Sequence, residues 1–163
     1  MKKTILLAVL FVGVLFCAVG YADSQYRTAL GHHVPSLVLP QADSVLRYDR
    51  SDGDYVLLNF WTSVDAPSRR QANEYTAWVR NNPEAPVKLI SVNFDHSRGM
   101  FSEIVKLDSL IPASQYYAEG DTARAIIDNF GLNRGYGSLL ISPEGKIIAH
   151  NPTDAQLSQY SGN

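Results

Sequence analysis

The stretch Leu58-Asn59-Phe60-Trp61-Thr62-Ser63-Val64-Asp65-Ala66-Pro67-Ser68-Arg69 decides how this chain folds. Its first residues complete an almost continuous apolar run of β-formers, Tyr55 to Trp61. Such a run predicts a strand buried on both faces of a sheet. Its second half reads as a helix opening. Asp65 is a favoured N-cap, because its carboxylate accepts a bond from a backbone N–H two or three residues on. Pro67 then falls in the first turn, where its missing N–H costs nothing.

Working outward, a helix is predicted from Pro67 to Asn81, with Ala72, Tyr75 and Val79 on one face. Asn82-Pro83 stops it. Val87 to Phe94 is a second continuous apolar run, so strand, helix and strand form a βαβ unit with a right-handed crossover. A second helix is predicted over Met100 to Leu110, burying Phe101, Ile104, Val105 and either Leu107 or Leu110. A third runs from about Asp121 to Phe130, opened by Asp121 or Thr122 and closed by Gly131. Ser138–Ile141 and Lys146–His150 make a hairpin around Ser142-Pro143-Glu144-Gly145. Upstream, Val34 to Pro40 is extended and Ser44 to Tyr48 is a second short strand. A weak helix signal follows Thr153.

Two phrases in this frame resemble one known family. Residues 58–69 resemble the active-site segment of thioredoxin-like proteins, in particular the extracytoplasmic TlpA/ResA-type (redoxin) branch, which reads roughly L-N-F-W-A-x-W-C-x-P-C-R. The Leu, Asn, Phe, Trp, Pro and Arg stand at matching positions, and Asp65 and Ser68 stand where that family has its two cysteines. Phe130 to Gly145 resembles the family's Y-G-V-x-G-x-P-T-x-F-L-I-D-x-x-G, with Tyr136 in place of a cis-proline. The resemblance covers about residues 31 to 155. It implies an α/β thioredoxin fold, a central mixed sheet flanked by helices, with a short N-terminal β extension. It also implies that Trp61, Asp65, Ser68 and Tyr136 are degenerate active-site positions. A groove for an extended peptide would lie along Trp61, Asp65, Arg69, Tyr136 and Gly137. A non-proline residue favours a trans peptide bond at position 136, because the cis form costs about 2.5–4 kcal/mol.

The cysteine count limits the chemistry. The sequence has one, Cys17, inside an apolar N-terminal segment. Thiol–disulfide exchange needs an attacking thiolate and a resolving sulfur. Lys2 and Lys3, the uncharged run Ile5 to Val19 and the small residues of Gly20-Tyr21-Ala22 read as a secretory signal over residues 1–22. Residues 23–33 read as a lead-in and 34–163 as one thioredoxin-like domain. The expected location is therefore extracytoplasmic or periplasmic. Cys17 offers a lipoprotein alternative, and an uncleaved leader another; membrane attachment is expected only in those two cases. The leader holds two lysines and no acid, so its removal leaves a formal charge of −4. That excludes the clustered basic footprint of a nucleic-acid binder.

The remaining polar residues carry weaker signals. Asn59 aligns with a buried acid that some thioredoxins use as a proton relay. His32-His33 lacks a third ligand nearby, so no metal is expected, and no cofactor either. Asp95-His96 follows a strand end and reads as a solvated loop. No G-x-S-x-G elbow or Ser–His pairing points to hydrolysis. Two function classes stay open. One is an exported binding domain without redox activity, whose partner is a protein or peptide. The other is a thiol–disulfide oxidoreductase or redoxin relative with a non-standard active site.

Overall fold

The computed structural model describes residues 27–40, 45–48 and 53–160. The predicted leader lies outside them. Strands β1 (Leu37–Pro40) and β2 (Val45–Tyr48) form an antiparallel pair, Leu37 opposite Tyr48. The main sheet joins β3 (Tyr55–Trp61), β4 (Val87–Asn93), β5 (Gln115–Tyr117), β6 (Ser138–Ile141) and β7 (Ile147–His150) in the order β5-β4-β3-β6-β7. β3–β4 and β4–β5 are parallel; β3–β6 and β6–β7 are antiparallel. Helices α1 (Ala66–Asn81), α2 (Arg98–Leu107), α3 (Gly120–Phe130) and the short α4 (Asp154–Leu157) pack around this sheet.

β3 sits at the centre because it has a core on each side. Val56, Leu58 and Phe60 point to one face and join Ile90, Val92, Ile126, Phe130 and Ile141. Leu57 points to the other face, with Tyr75 and Trp78 of α1. Trp61 continues that second face, against Ala72, Val105 and Leu110. This alternation is the period of two of a β-strand. α1 buries Ala72, Tyr75 and Trp78, with Val79 half-buried beside them. It ends where the Asn82 side chain donates to the Trp78 carbonyl at 2.8 Å.

Four details differ from the sequence reading. α2 starts earlier, because the Ser97 hydroxyl caps it by accepting from the Met100 N–H at 3.2 Å. Leu107 is 72% exposed, and Leu110, beyond the helix, fills the core instead. α3 is capped by Glu119 without a side-chain bond, so neither Asp121 nor Thr122 opens it; Gly131 closes it in the left-handed region at φ 68° as predicted. β5 has no counterpart in the sequence reading, since three residues carry no pattern and their strand character comes from pairing with Ser91–Asn93. Finally, the end of the predicted lead-in is fixed to the sheet. Gly31 N–H donates to the Ile147 carbonyl at 2.8 Å, and Ile147 N–H donates back to the His32 carbonyl at 2.9 Å.

A buried hydroxyl ties α1 to the hairpin. Tyr75 Oη lies 2.6 Å from Ser138 Oγ, donates to the Pro152 carbonyl at 3.1 Å and accepts from Gln71 Nε2 at 2.9 Å. Burial pushes this phenol up to about 12, against the pull of the Ser138 and Gln71 bonds. Tyr75→Phe removes the donor to Pro152 without changing the ring. The expected cost is about 1–3 kcal/mol, because buried partners are left unpaired. Urea melts of the two proteins measure it, and a difference near zero would mean the bonds do not hold in solution.

Candidate functional site

The parallel register of β3 and β4 pairs Trp61 with Asn93, so the loops after both strands leave the sheet side by side. The first loop turns into α1. Asp65 has extended backbone dihedrals, φ −97° and ψ 99°, and its Oδ2 accepts from the Ser68 N–H at 3.0 Å. Ser68 is buried, donates its hydroxyl to the Asp65 carbonyl at 3.2 Å and accepts from the Thr62 N–H at 3.4 Å. Both positions where the resembled family has sulfur therefore stitch the loop to the helix. The carboxylate also sits at the positive end of the helix dipole.

The second loop holds a residue whose role the sequence reading missed. Asp95 is not solvated: it is 5% exposed. Its Oδ1 accepts from Thr62 Oγ1 at 2.6 Å, from Ser63 N–H at 2.7 Å and from Ser63 Oγ at 2.9 Å, while Oδ2 accepts from Asn93 Nδ2 at 3.1 Å. Burial pushes this carboxyl up, but those bonds together outweigh it and hold it below the ordinary carboxylate range. The available signal was the strand register. Aligning Trp61 with Asn93 places the hydroxyls of Thr62 and Ser63 beside an acid two residues past β4. His96 next to it is exposed.

The third loop closes the arrangement. The Gly135–Tyr136 bond is trans. The half-buried Tyr136 ring stacks on Phe94, centroids 5.6 Å apart and planes at 23°. Burial raises its phenol, and the nearby charges of Asp65 and Asp95 raise it further. Gly137 accepts from the Phe60 N–H at 3.0 Å, extending the sheet ladder. A Cβ at Gly137 would lie 2.9 Å from Asn151 Oδ1, so the close approach selects glycine.

The structure brings Asp65, Ser68, Tyr136 and Gly137 together at this end of the sheet and removes two residues from the expected groove. Trp61 is 0% exposed, a core side chain under α1 and α2, so it lines no surface. Arg69 makes a two-pronged ion pair with Asp108, Nε–Oδ2 2.7 Å and Nη2–Oδ1 2.7 Å, which pins α1 to the end of α2. That bond, against partial burial, holds the Asp108 carboxyl low. In the groove's place stands Val64, 74% exposed, beside Asp65. Asn59 is fully buried and donates to Ser91 Oγ at 3.0 Å; it holds two strands together and cannot titrate.

Chemically, the site offers two carboxylates, three aliphatic hydroxyls and a phenol. Ser63 Oγ donates to Asp95, yet a carboxylate held low is a weak base, so this pair lacks an activated nucleophile. Among the described residues no group of three or more His, Cys, Asp or Glu is placed to hold a metal. No described helix is long and apolar enough to cross a membrane.

No protein-family model matches the chain. The thiol-disulfide oxidoreductase ResA of Bacillus subtilis is 26% identical over 147 residues, spanning 83% of this chain and 77% of that protein. A thioredoxin-like protein from Parabacteroides distasonis superposes with a TM-score of 0.68 at 28% identity, covering 82% of this chain and 95% of the other. The fold is thioredoxin-like. A thiol:disulfide interchange protein from a Bacteroides species agrees at TM-score 0.69 and 17% identity over 82% of this chain and 88% of its own. This thioredoxin-like chain thus has thiol–disulfide oxidoreductases of the redoxin type as its relatives, and Asp65 and Ser68 in the sulfur positions of the resembled motif.

Two sets of substitutions test the geometry. Asp65→Ala is expected to cost about 0.5–2 kcal/mol and Asp65→Asn less, as for other N-caps. Ser68→Ala is expected to cost about 1 kcal/mol, because its buried hydroxyl makes two bonds. Urea melts at neutral pH decide these, and a neutral Asp65→Ala would remove the capping role. Asp95 adds a pH dependence. Its folded pKa lies below its unfolded one, so its stabilisation is present above about pH 3.9 and is lost as pH falls through the folded value. The gap between wild type and Asp95→Asn is therefore expected to be constant near neutrality and to shrink in acid. A gap that widened in acid would contradict the assignment.

Proposed function

We propose that this chain works by binding a partner and not by thiol exchange. The observation that carries the reading is the commitment of both sulfur positions to a helix cap, Asp65 to the Ser68 N–H and Ser68 to the Asp65 carbonyl. An N-cap carboxylate uses permanently the helix field that would activate a thiol. The partner is a protein or peptide, held in extended form along the start of α1 and the main chain of the 135–137 loop. Val64 supplies an exposed apolar contact there. The leader pattern of Lys2, Lys3 and the uncharged Ile5–Val19 run supports an exported, extracytoplasmic site of action.

Insulin-disulfide reduction tests the first half. The purified chain is expected to give no turbidity above a heat-treated control without dithiothreitol, and measurable reduction would refute the proposal. Capture of a partner by the exported form, lost on Tyr136→Ala, tests the second half.

The vacated motif also serves as a probe. Asp65→Cys with Ser68→Cys places two sulfurs on a helix start at the family's spacing, within disulfide reach. This double variant is expected to oxidise readily and to remain a slow oxidoreductase. Adding Tyr136→Pro is expected to raise turnover more than it changes stability. Failure of the two sulfurs to join under oxidant would show that the helix start is not as described.

A further inference from the structure

A line of polar side chains divides the core under α1 in two. Strand register places Ser138, Asn59, Ser91 and Gln115 side by side across β6, β3, β4 and β5. All four are buried. Along β3, Asn59 falls between Leu57 and Trp61, on the same face of the sheet. On the Leu57 side lies a core of seven buried residues that includes Tyr75, Trp78, Leu89 and Leu140. On the Trp61 side lies a core of four: Trp61, Ala72, Val105 and Leu110.

α2 covers the smaller core and is lightly attached to it. Val105 is the one buried residue of its ten, whereas α1 buries five of sixteen. The polar line beside this core is incompletely paired. Asn59 donates to Ser91 Oγ at 3.0 Å, yet its Oδ1, both ends of the Gln115 amide and Trp61 Nε1 have no hydrogen-bond partner among the described residues. Burying such groups unpaired is unfavourable, and contact with water recovers the loss. The points that hold α2 down against that tendency are few. Asp108, just past the helix, takes two bonds from Arg69 and one from Asn73 Nδ2 at 3.2 Å. The next carbonyl, of Ser109, accepts from Arg80, and Ser109 itself has φ 51°, a left-handed conformation that few residues other than glycine adopt. Near the other end of α2, Phe101 stacks on Tyr117 with centroids 5.6 Å apart.

We propose that residues 97–110 form a hinged cover that opens as one unit, short of global unfolding, with Asp108 as its latch. Opening breaks the bonds to Arg69 and Asn73, separates Val105 and Leu110 from Trp61 and Ala72, and admits water to the Gln115 end of the polar line. It uncovers Trp61, the residue from which the Thr62–Asp65 loop of the candidate site springs. The core on the Leu57 side and the β3–β4 ladder stay intact. The proposal stands whether or not a peptide binds at the start of α1.

Native-state hydrogen exchange of the isotope-labelled full chain, followed through low concentrations of urea, tests it. The hydrogen-bonded amides of α2 are expected to converge on one opening free energy, below the value that β3 and β4 share. Asp108→Asn removes the latch charge and is expected to speed exchange in α2 about tenfold, with β3 and β4 changed less. Gln115→Met keeps the length of the side chain and removes both unpaired amide groups, so it is expected to slow exchange in α2 about tenfold. If Asp108→Asn does not fold, Arg69→Gln takes its place. The proposal is overturned if α2 exchanges only at the free energy of β3 and β4, or if its amides share no common value. It is equally overturned if no folded variant changes α2 more than it changes β3 and β4.

Discussion

From Val56 to Trp61, every residue of β3 is buried, and the strand is hydrogen-bonded on both sides, to β4 and to β6. Its side chains supply apolar groups to the cores on both faces of the sheet. A single-residue slip would exchange those faces and send Asn59 into the larger core. That constraint fixes where Thr62 emerges, and with it the start of α1. The neighbouring parallel strand fixes Asp95, and the antiparallel one fixes Tyr136 through Gly137. The three loops that meet at the site are the three strand ends whose positions β3 dictates.

The electrostatics of that meeting point follow from helix and hydrogen bonds, with no ion pair required. Asp65 lies in the field of a helix N-terminus, worth about 0.3–1 kcal/mol to an exposed anion, and its cap bond is worth about the same again. Asp95 depends on geometry instead. An unpaired carboxylate at its depth would take up a proton, and four neutral donors prevent that. The two charges then act on Tyr136, whose phenol is driven up and stays a hydrogen-bond donor at any physiological pH. The nearest guanidinium of α1, on Arg69, is engaged by Asp108.

The sequence made the long elements readable because their patterns are local. The Tyr55–Trp61 run, the Asp65-x-Pro67 helix opening, Gly131 after α3 and the Pro143–Gly145 turn each carry their own physical signal. Apart from the caps of α2 and α3, the misses were tertiary. β5 exists through pairing with β4, and the choice left open between Leu107 and Leu110 falls to Leu110, which lies beyond the end of α2. Trp61 and Arg69 belonged to the motif and so were expected at the groove. Strand periodicity alone points Trp61 at the α1 face, but only the placement of α2 shows it enclosed, and only Asp108, 39 residues away, explains Arg69. Asp95 followed a strand and resembled a solvent loop; its burial depends on hydroxyls 32 and 33 residues earlier.

Ring packing holds the loop before β6 in place. Tyr136 stacks on Phe94, and Phe60 packs against both Phe94 and Phe130, centroids 6.2 and 4.9 Å apart. An aromatic chain thus runs from the loop into the main core, with pairs of this kind worth about 0.5–1.5 kcal/mol beyond their buried area. A proline at 136 could make none of the stacking contact. The ring also gives the loop a reason to keep one position without a sulfur pair beneath it. Sulfur at positions 65 and 68 and a proline at 136 serve one reaction; a helix cap, a buried hydrogen-bonded Asp95 and a stacked Tyr136 hold the same three loops in place by packing and hydrogen bonds.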